Sequence, residues 1–557
     1  MLPTAIRRNL IAGLAFGLCV CLCFGPSPAE SRTRPKNLVD RKLVTIYGST
    51  PHVEALLGPG RPTPDTYKTL RNAFFRYEES RSLGYDLELT EREQKANETI
   101  MQAKLQEYEE GLIAPHLFKP AQHIFDVLDG IRDTRLFQLL KKMPKGAVLH
   151  AHDTALCSTA AIIKLTKYDN LWGCQQTGDL EVTSLRFSKE KPAALGNCDW
   201  TLMSEIREKY GSDRVDEYLA EKLTLYPTKK FEDNNAAWST FMEIFSLLDG
   251  LVLYAPVWRD YYYSALQEFY EDGVQYLEFR SLLPTLYDLE GTTYTPLDTV
   301  RIYVETLEKF KEEHPDFIGS RVIYAPLRNT NSEGVLGYIE TLKQIKAEYP
   351  NFVAGFDLVG QEELGVPLKD FVDELLVIPE DIDFYFHAGE TNWFGSSVDE
   401  NLIDAILLGT KRIGHGFGLV KHPVVLDMLK RLNVAIEVNP ISNQVLQLIT
   451  DFRNHPCSHF FADGYPVVIS SDDPSFWKAT PLTHDFYIAY LGIASQHSDL
   501  RLLKKLALNS IQYSSLSGDA QFEALEKWQT KWDQFIADVN EEASNQGSSS
   551  LQLQKID

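Results

Sequence analysis

What most limits the fold of this chain is a rhythm. From Lys145 onward, short apolar runs of strand character alternate with helical stretches. Eight such runs occupy residues 147–153, 274–280, 321–327, 353–360, 383–390, 412–416, 433–440 and 466–474. Their composition is that of strands buried on both faces, and amphipathic segments such as 297–313 and 334–348 lie between most of them. Eight strand–helix units in succession predict an α/β fold, a parallel (β/α)8 TIM barrel, in which chemistry collects at the carboxyl ends of the strands. The polar residues follow that rule. His150, His152 and Asp153 end the first run, His387 and Glu390 the fifth, His415 the sixth, and Asp472 and Asp473 the eighth.

The fifth run, Asp383-Phe-Tyr-Phe-His-Ala-Gly-Glu390, shows the pattern most plainly. An aromatic strand stops at a histidine, two small residues and a carboxylate, and Gly389 permits the turn that would bring Glu390 into the same pocket as His387. In the first run, residues i and i+2 of a strand share a side, so His150 and His152 can converge on one ion. With His387 and a carboxylate from Asp472 the set is three imidazoles and one oxygen. It suits Zn2+ and hydrolysis, because a bound ion makes water a nucleophile at neutral pH. Glu390 would donate a proton if burial raises its pKa, His415 would orient or deprotonate the water, Asp473 would pair with a ring nitrogen, and Gly360 would let a substrate approach the backbone N–H. That chemistry fits water adding to a C=N bond with loss of ammonia, and amide or ester hydrolysis nearly as well.

One connection breaks the rhythm. Residues 154–273 separate the first two strands where a plain barrel needs far fewer, so an inserted subdomain is expected at the catalytic mouth. Within it Trp238, Phe241, Met242 and Phe245 stand at helical spacing, a core stripe or an apolar wall for a planar substrate. Ahead of the barrel, the region 66–112 reads as helical. Tyr67, Leu70, Phe74 and Tyr77 share one face, and after a capping box at Thr90-Glu-Arg-Glu93, Met101, Leu105, Tyr108 and Leu112 share another. The pair carries more apolar surface than it can bury alone, which implies either a self-association arm or packing on the main domain. The chain closes with a helix over 521–543 and a polar tail, 544–557, expected to be disordered.

At 557 residues the chain has room for a large core and added modules, and 44% hydrophobic with 24% charged residues excludes wholesale disorder. A net charge of −23 argues against binding nucleic acid or an anionic membrane through the bulk field. The first residues, Arg7 and Arg8, then an apolar run over 10–24, then Gly25-Pro-Ser-Pro-Ala29, read as a signal peptide over 1–29. The run is short for a membrane span, which favours secretion over an anchor. Cys19, Cys21 and Cys23 would leave with it. Of the four cysteines that stay, Cys174 and Cys198 are the closest pair of which both members stand in polar surroundings, so they are the expected disulfide, with Cys157 and Cys457 free. Asn97-Glu-Thr99 is a glycosylation sequon, usable after secretion.

Six segments carry a family resemblance. Met143-Pro-Lys-Gly-Ala-Val-Leu-His-Ala-His-Asp153, Gly355-Phe-Asp-Leu-Val-Gly-Gln-Glu362, His387-Ala-Gly-Glu390, Arg412-Ile-Gly-His-Gly416, Glu437-Val-Asn-Pro-Ile-Ser-Asn443 and Ser470-Ser-Asp-Asp-Pro474 together resemble the adenosine deaminases. The Met-Pro-Lys-Gly start, the long insertion and the N-terminal helices are similar to the secreted branch, the adenosine deaminase-related growth factors. The resemblance implies hydrolysis of adenosine and 2′-deoxyadenosine to the inosine form plus ammonia. By motif match, one Zn2+ per subunit would be held by His150, His152, His387 and Asp472. Glu390 would protonate N1, His415 position the attacking water, Asp473 pair with N7 and the Gly360 N–H with N3, while Asp153 and the stripe from Trp238 to Phe245 form ribose and pocket contacts.

The same resemblance implies a homodimer through a helical region at 30–115, barrel from 116–153 and again over 274–543, and an insertion over 154–273 that meets a cell-surface receptor or glycosaminoglycan. Where some secreted relatives carry a histidine after the third strand, this chain has Leu327, which cannot make that polar contact. The runner-up reading is a growth-factor-like signalling protein acting through receptor binding. A nucleotide substrate such as AMP would require phosphate-binding Arg or Lys near the pocket.

Overall fold

The computed structural model describes residues 60–553, apart from 177–179, 195, 197 and 229. The expected signal peptide, with Cys19, Cys21 and Cys23, lies outside the described residues. Two compact units divide the chain, Met1–Tyr77 and Glu78–Asp557. In the first, residues 64–77 are helical, with Leu70, Phe74 and Tyr77 half-buried and Tyr67 exposed.

In the second unit all eight expected strands form, in parallel and in sequence order. A five-stranded sheet and a four-stranded sheet supply them. Gly146–Val148 pairs with Val274–Ser281, which pairs with Gly319–Tyr324, then Val353–Phe356, then Asp383–Phe384. The second sheet runs His387–Ala388, Arg412–His415, Ala435–Val438, Val467–Ile469. The fifth strand is thus in two pieces that bond to opposite neighbours: Tyr385 N–H donates to Phe356 O at 3.0 Å, and Phe386 O accepts from Gly414 N–H at 2.8 Å. A physical cause of the break is that Tyr385 O accepts from Arg280 Nη2, at 2.9 Å. The ring closes where Ala151 bridges to Asp472, with His152 N–H donating to Asp472 O at 3.2 Å and Asp472 N–H to His150 O at 3.1 Å.

The insertion contains a three-stranded antiparallel sheet, Val182–Phe187, Leu171–Gln175 and Asp199–Leu202 in spatial order. Cys174 sits opposite Trp200 and is bonded to Cys198, as expected, while Cys157 and Cys457 are buried free thiols. Behind this sheet the helix Asn234–Val252 carries the aromatic stripe. It approaches Leu185 so closely at Gly250 that a Cβ there would lie 2.1 Å from Leu185 O.

The helix Glu91–Ile113 opens on the expected capping box, Glu93 N–H donating to Thr90 Oγ1 at 3.3 Å and Thr90 N–H to Glu93 Oε2 at 2.8 Å. Its buried stripe is Ala96, Ile100, Ala103 and Lys104, so the expected face from Met101 to Leu112 is off by about one position, and Leu112 is exposed. The C-terminal helix Asp519–Leu553 and its neighbour set that face. Trp532 Nε1 donates to Glu93 Oε1 at 2.8 Å and Lys504 pairs with the same oxygen at 2.6 Å. Of the two roles expected for this region, packing on the main domain is the one Glu91–Ile113 visibly has. Asn97 sits half-buried on this helix, its Oδ1 accepting from Leu500 N–H at 2.9 Å. The C-terminal helix runs on to Leu553, past the end expected at 543. No proline interrupts residues 544–553, and the single Gly547 costs a helix only about 1 kcal/mol.

Among the described residues no helix is long and apolar enough to cross a membrane. The disulfide closes the insertion sheet rather than the barrel. Replacing Cys198 by Ser is therefore expected to cost the insertion about 3 kcal/mol by loop entropy, leaving the barrel folded. Limited proteolysis should cut the variant first between residues 171 and 202, with the barrel fragment persisting.

Candidate active site

The strand ends bring four of the expected side chains to one point. His150, His152, His387 and Asp472 each offer one ligand atom, and these atoms lie within 4.8 Å of one another. Asp472 Oδ1 is 3.3 Å from His150 Nε2 and 3.1 Å from His152 Nε2. Glu390 and His415 join Asp472 in a second group of the same compactness. Two of these residues leave their strands through left-handed backbone, His415 at φ 63° and Asp472 at φ 60°. That conformation strains a side-chain-bearing residue and is found where function over-determines the geometry. Gly414 is glycine for a different reason: a Cβ would sit 3.0 Å from His150 Cε1, in the space the ring occupies.

The rings are aimed from behind. Glu437 Oε2 lies 2.7 Å from His150 Nδ1, and Asp357 Oδ2 lies 2.6 Å from His387 Nδ1 while its Oδ1 accepts from His387 N–H at 2.9 Å. A carboxylate beside Nδ1 accepts a hydrogen bond from Nδ1–H, which fixes the proton there and leaves Nε2 as a lone-pair donor toward the centre, the arrangement metal-bound histidines use. Arg280 joins the two carboxylates, 2.8 Å from each, and Arg412 pairs with both Glu437 and Glu278.

These residues fit a divalent cation. The donor set is three imidazole nitrogens and one carboxylate oxygen, which suits zinc. His150 Nε2 is buried without a hydrogen-bond partner. Two guanidiniums, Arg280 and Arg412, face four carboxylates, Glu278, Asp357, Glu437 and Asp472, all buried. The imbalance is the charge that one such ion would supply.

Environment divides the carboxyl groups by protonation. Burial first, then the Asp472 and Glu362 carboxylates, pushes Glu390 well above the usual carboxylate range. Burial and then Asp472 do the same to Asp473. Asp357 and Glu437 are held below that range: burial opposes it, but His387 and Arg280 at the first, Arg280 and Arg412 at the second, prevail. Burial lowers His387 to about 3, so the ring is neutral and free to donate its lone pair. Glu390 is placed by Glu362, whose carboxylate accepts from Gly389 N–H at 3.1 Å and Glu390 N–H at 2.7 Å.

Above this centre opens a cleft of ≈ 1110 Å³, its mouth included. His152, His387, Glu390, His415, Asp472 and Asp473 line its floor, and every expected substrate contact lines it too: Asp153, Trp238, Phe241, Met242, Phe245 and Gly360. Of the candidate site residues only His150 lies beneath the floor, fully buried. Asp153 is held by Tyr303 Oη at 2.9 Å, and burial raises it to about 6. Leu327 lines the cleft and is half-open to solvent, so that part of the wall is apolar, as its sequence position implied.

Sequence reasoning placed the ligand, acid and pocket residues and missed the charged groups that hold them. Glu278, Arg280, Asp357 and Glu437 had no assigned role, nor had Glu362. The signal was present: a charge in the middle of a doubly buried strand must find a partner.

Comparison with known proteins gives two family matches, several relatives and a likeness of fold. Residues 195–531 match the family described as adenosine deaminase, and residues 18–140 match the adenosine/AMP deaminase N-terminal family. A relative named adenosine deaminase from Lutzomyia longipalpis is 49% identical over 482 residues, covering 86% of this chain and 94% of its own. Adenosine deaminase 2 of Homo sapiens is 39% identical over 465 residues, covering 82% and 91%. Among solved structures, an amidohydrolase from Burkholderia ambifaria with bound Zn superposes with a TM-score of 0.51 at 16% identity, covering 72% of this chain and 94% of that one, a likeness of fold.

If Asp357 aims His387, Asp357→Asn should weaken metal binding about 10–100-fold. Titration of the loaded protein with a competing chelator measures it, and retention of the metal at wild-type affinity would contradict the role given to Asp357.

Proposed function

Because this chain belongs to the adenosine deaminase family, we propose that it is a secreted, zinc-dependent enzyme that hydrolyses adenosine and 2′-deoxyadenosine to the inosine form plus ammonia. The observation that carries this reading is the convergence of three imidazoles and one carboxylate beneath an apolar cleft, facing a glutamate that keeps its proton. His150, His152, His387 and Asp472 would hold the ion, which when bound acidifies water and stabilises negative charge on its oxygen.

The chain's own groups do the rest. Trp238, Phe241 and Phe245 clamp the flat purine, and Glu390 hands its proton to N1, which makes C6 electrophilic and prepares the ring to receive water. Asp473 keeps a proton as well, and its Oδ1 has no partner within the protein, so it donates to N7. The Gly360 N–H, on backbone at φ 102°, serves N3. His415 Nε2, 3.7 Å from Asp472 Oδ2, orients the attacking water. Asp153 takes the ribose.

A nucleoside suits the cleft better than a nucleotide. Among the described residues that line it the one cation is Arg280, already paired with Asp357 and Glu437, while Asp153 and Asp249 oppose a phosphate. The extracellular address rests on the apolar leader and the Cys174–Cys198 bond. To it belong glycosylation at Asn97, a homodimer built through the N-terminal helices, and a cell-surface or glycan partner for the insertion. Lowering extracellular adenosine would then be how this protein acts on cell growth, rather than receptor binding alone.

Purified protein should contain one zinc per chain and should lower the ultraviolet absorbance of adenosine but not of AMP. Glu390→Gln should cut kcat by about 10²–10⁴ while zinc stays bound. The wild-type rate should fall as pH rises through the raised Glu390 pKa, since only the protonated carboxyl can donate. Growth activity that survives in Glu390→Gln would turn the reading toward receptor signalling.

A further inference from the structure

We infer that Asn443 and His455 are positioning residues for this reaction, relaying the orientation of one backbone N–H through two side chains so that His415 presents Nε2–H to the reacting water. The inference rests on the reading above for the role of His415, and on hydrogen-bond geometry for the relay.

The relay starts from a group that has only one option. The Cys457 backbone N–H donates, and it lies 3.0 Å from His455 Nδ1. Nδ1 is therefore the lone-pair nitrogen, and the proton of the neutral ring sits on Nε2. His455 Nε2 lies 2.9 Å from Asn443 Oδ1, so the ring donates to the amide oxygen. This fixes which way round the amide stands: its Nδ2 points away from His455 and lies 3.3 Å from His415 Nδ1. An amide nitrogen donates only, so Nδ1 of His415 accepts, and the proton of that ring is on Nε2. Nε2 faces the centre of the site, 3.7 Å from Asp472 Oδ2 and without a hydrogen-bond partner in the protein.

The reverse arrangement fails at the first link. Turning the Asn443 amide over would require His455 Nε2 to accept, moving that ring's proton to Nδ1 and setting it against the Cys457 N–H. Water does not relieve the conflict, because His415, Asn443 and His455 are each at most 2% exposed. Burial also lowers His455 to about 3, which keeps the ring neutral, and Phe417 holds it edge to face at 5.6 Å. Glu390 Oε1 is a second neighbour of His415 Nδ1, at 3.5 Å. An ionised Glu390 would draw a proton onto Nδ1, and the Asn443 amide opposes that. Neither Asn443 nor His455 lines the cleft, so the relay acts on the ring and not on substrate binding.

Two sets of variants test the relay in the zinc-loaded full chain. Asn443→Asp keeps the shape but replaces the donor with an acceptor, and should lower kcat about tenfold or more with KM within about twofold and zinc content unchanged. His455→Phe should do the same, whereas His455→Gln, whose amide N–H reaches the place of Nε2–H, should restore most of the rate. A readout apart from turnover is nitrogen NMR of histidine-labelled protein: His415 should show a protonated Nε2 and a bare Nδ1 in the wild type, and lose that pattern in Asn443→Asp. A wild-type ring with its proton on Nδ1, or an Asn443→Asp enzyme with unchanged kcat, overturns the inference. Should the wild type not deaminate adenosine at all, the proposed function fails while the NMR pattern still decides the relay. Should Asn443→Asp not fold, the His455→Phe and His455→Gln pair decides the kinetic arm.

Discussion

Arg280 spans the two carboxylates that aim the central histidines, and the site is built outward from that bridge. Its guanidinium is fully buried, 2.8 Å from Asp357 and 2.8 Å from Glu437, and also donates to the carbonyls of Leu149 and Tyr385. Ions taken out of water cost several kcal/mol each, and removing one partner from a buried pair costs about 3–5 kcal/mol. Barrel stability and site geometry therefore depend on the same bonds. The split in the fifth strand belongs to this arrangement, since the Tyr385 carbonyl reaches the Arg280 guanidinium. Asp383–Phe384 pairs with one neighbour and His387–Ala388 with the other, so the strand that carries His387 is pinned by a side chain as well as by the sheet.

One residue type performs opposite tasks here because its surroundings differ. Asp472 and Asp473 are adjacent, yet the first is driven well below the usual carboxylate range, burial being outweighed by His415, His150 and His152, and the second well above it by burial and by Asp472 itself. One is an anion that can face a metal; the other is a hydrogen-bond donor. Glu390 and Glu437 divide in the same manner, one with anions about it and the other between two guanidiniums. Pairs pushed apart by environment identify acid and ligand without reference to sequence order.

The eight strands were legible because double burial writes them as apolar runs, and the polar residues at the centre of the site were legible because four of those runs, the first, fifth, sixth and eighth, end in histidine or a carboxylate. His150 and His152 follow from the two-residue period of a strand alone. Pairings across the barrel were not legible. Nothing in the positions of Arg280, Asp357 and Glu437 says that they meet, since residues 77 and 80 apart along the chain become neighbours only through closure. The relay from Cys457 to His415 was hidden for the same reason. The N-terminal helix was placed, but its buried face was set about one position off, because Glu93 turns inward to Trp532 and Lys504 and carries Ile100 and Ala103 with it. The C-terminal helix outran its expected end because polarity without proline does not stop a helix.

The close approach of Gly250 to Leu185 bears on how far this molecule could be pared down. The helix that lends the cleft Trp238, Phe241 and Phe245 rests directly on the insertion sheet, with no room at the crossing even for a methyl group. Excising the sheet to obtain a minimal catalyst would remove the bed of the very segment that walls the cleft. Within the insertion, the sheet and the helix that walls the cleft are, at that crossing, a single joint.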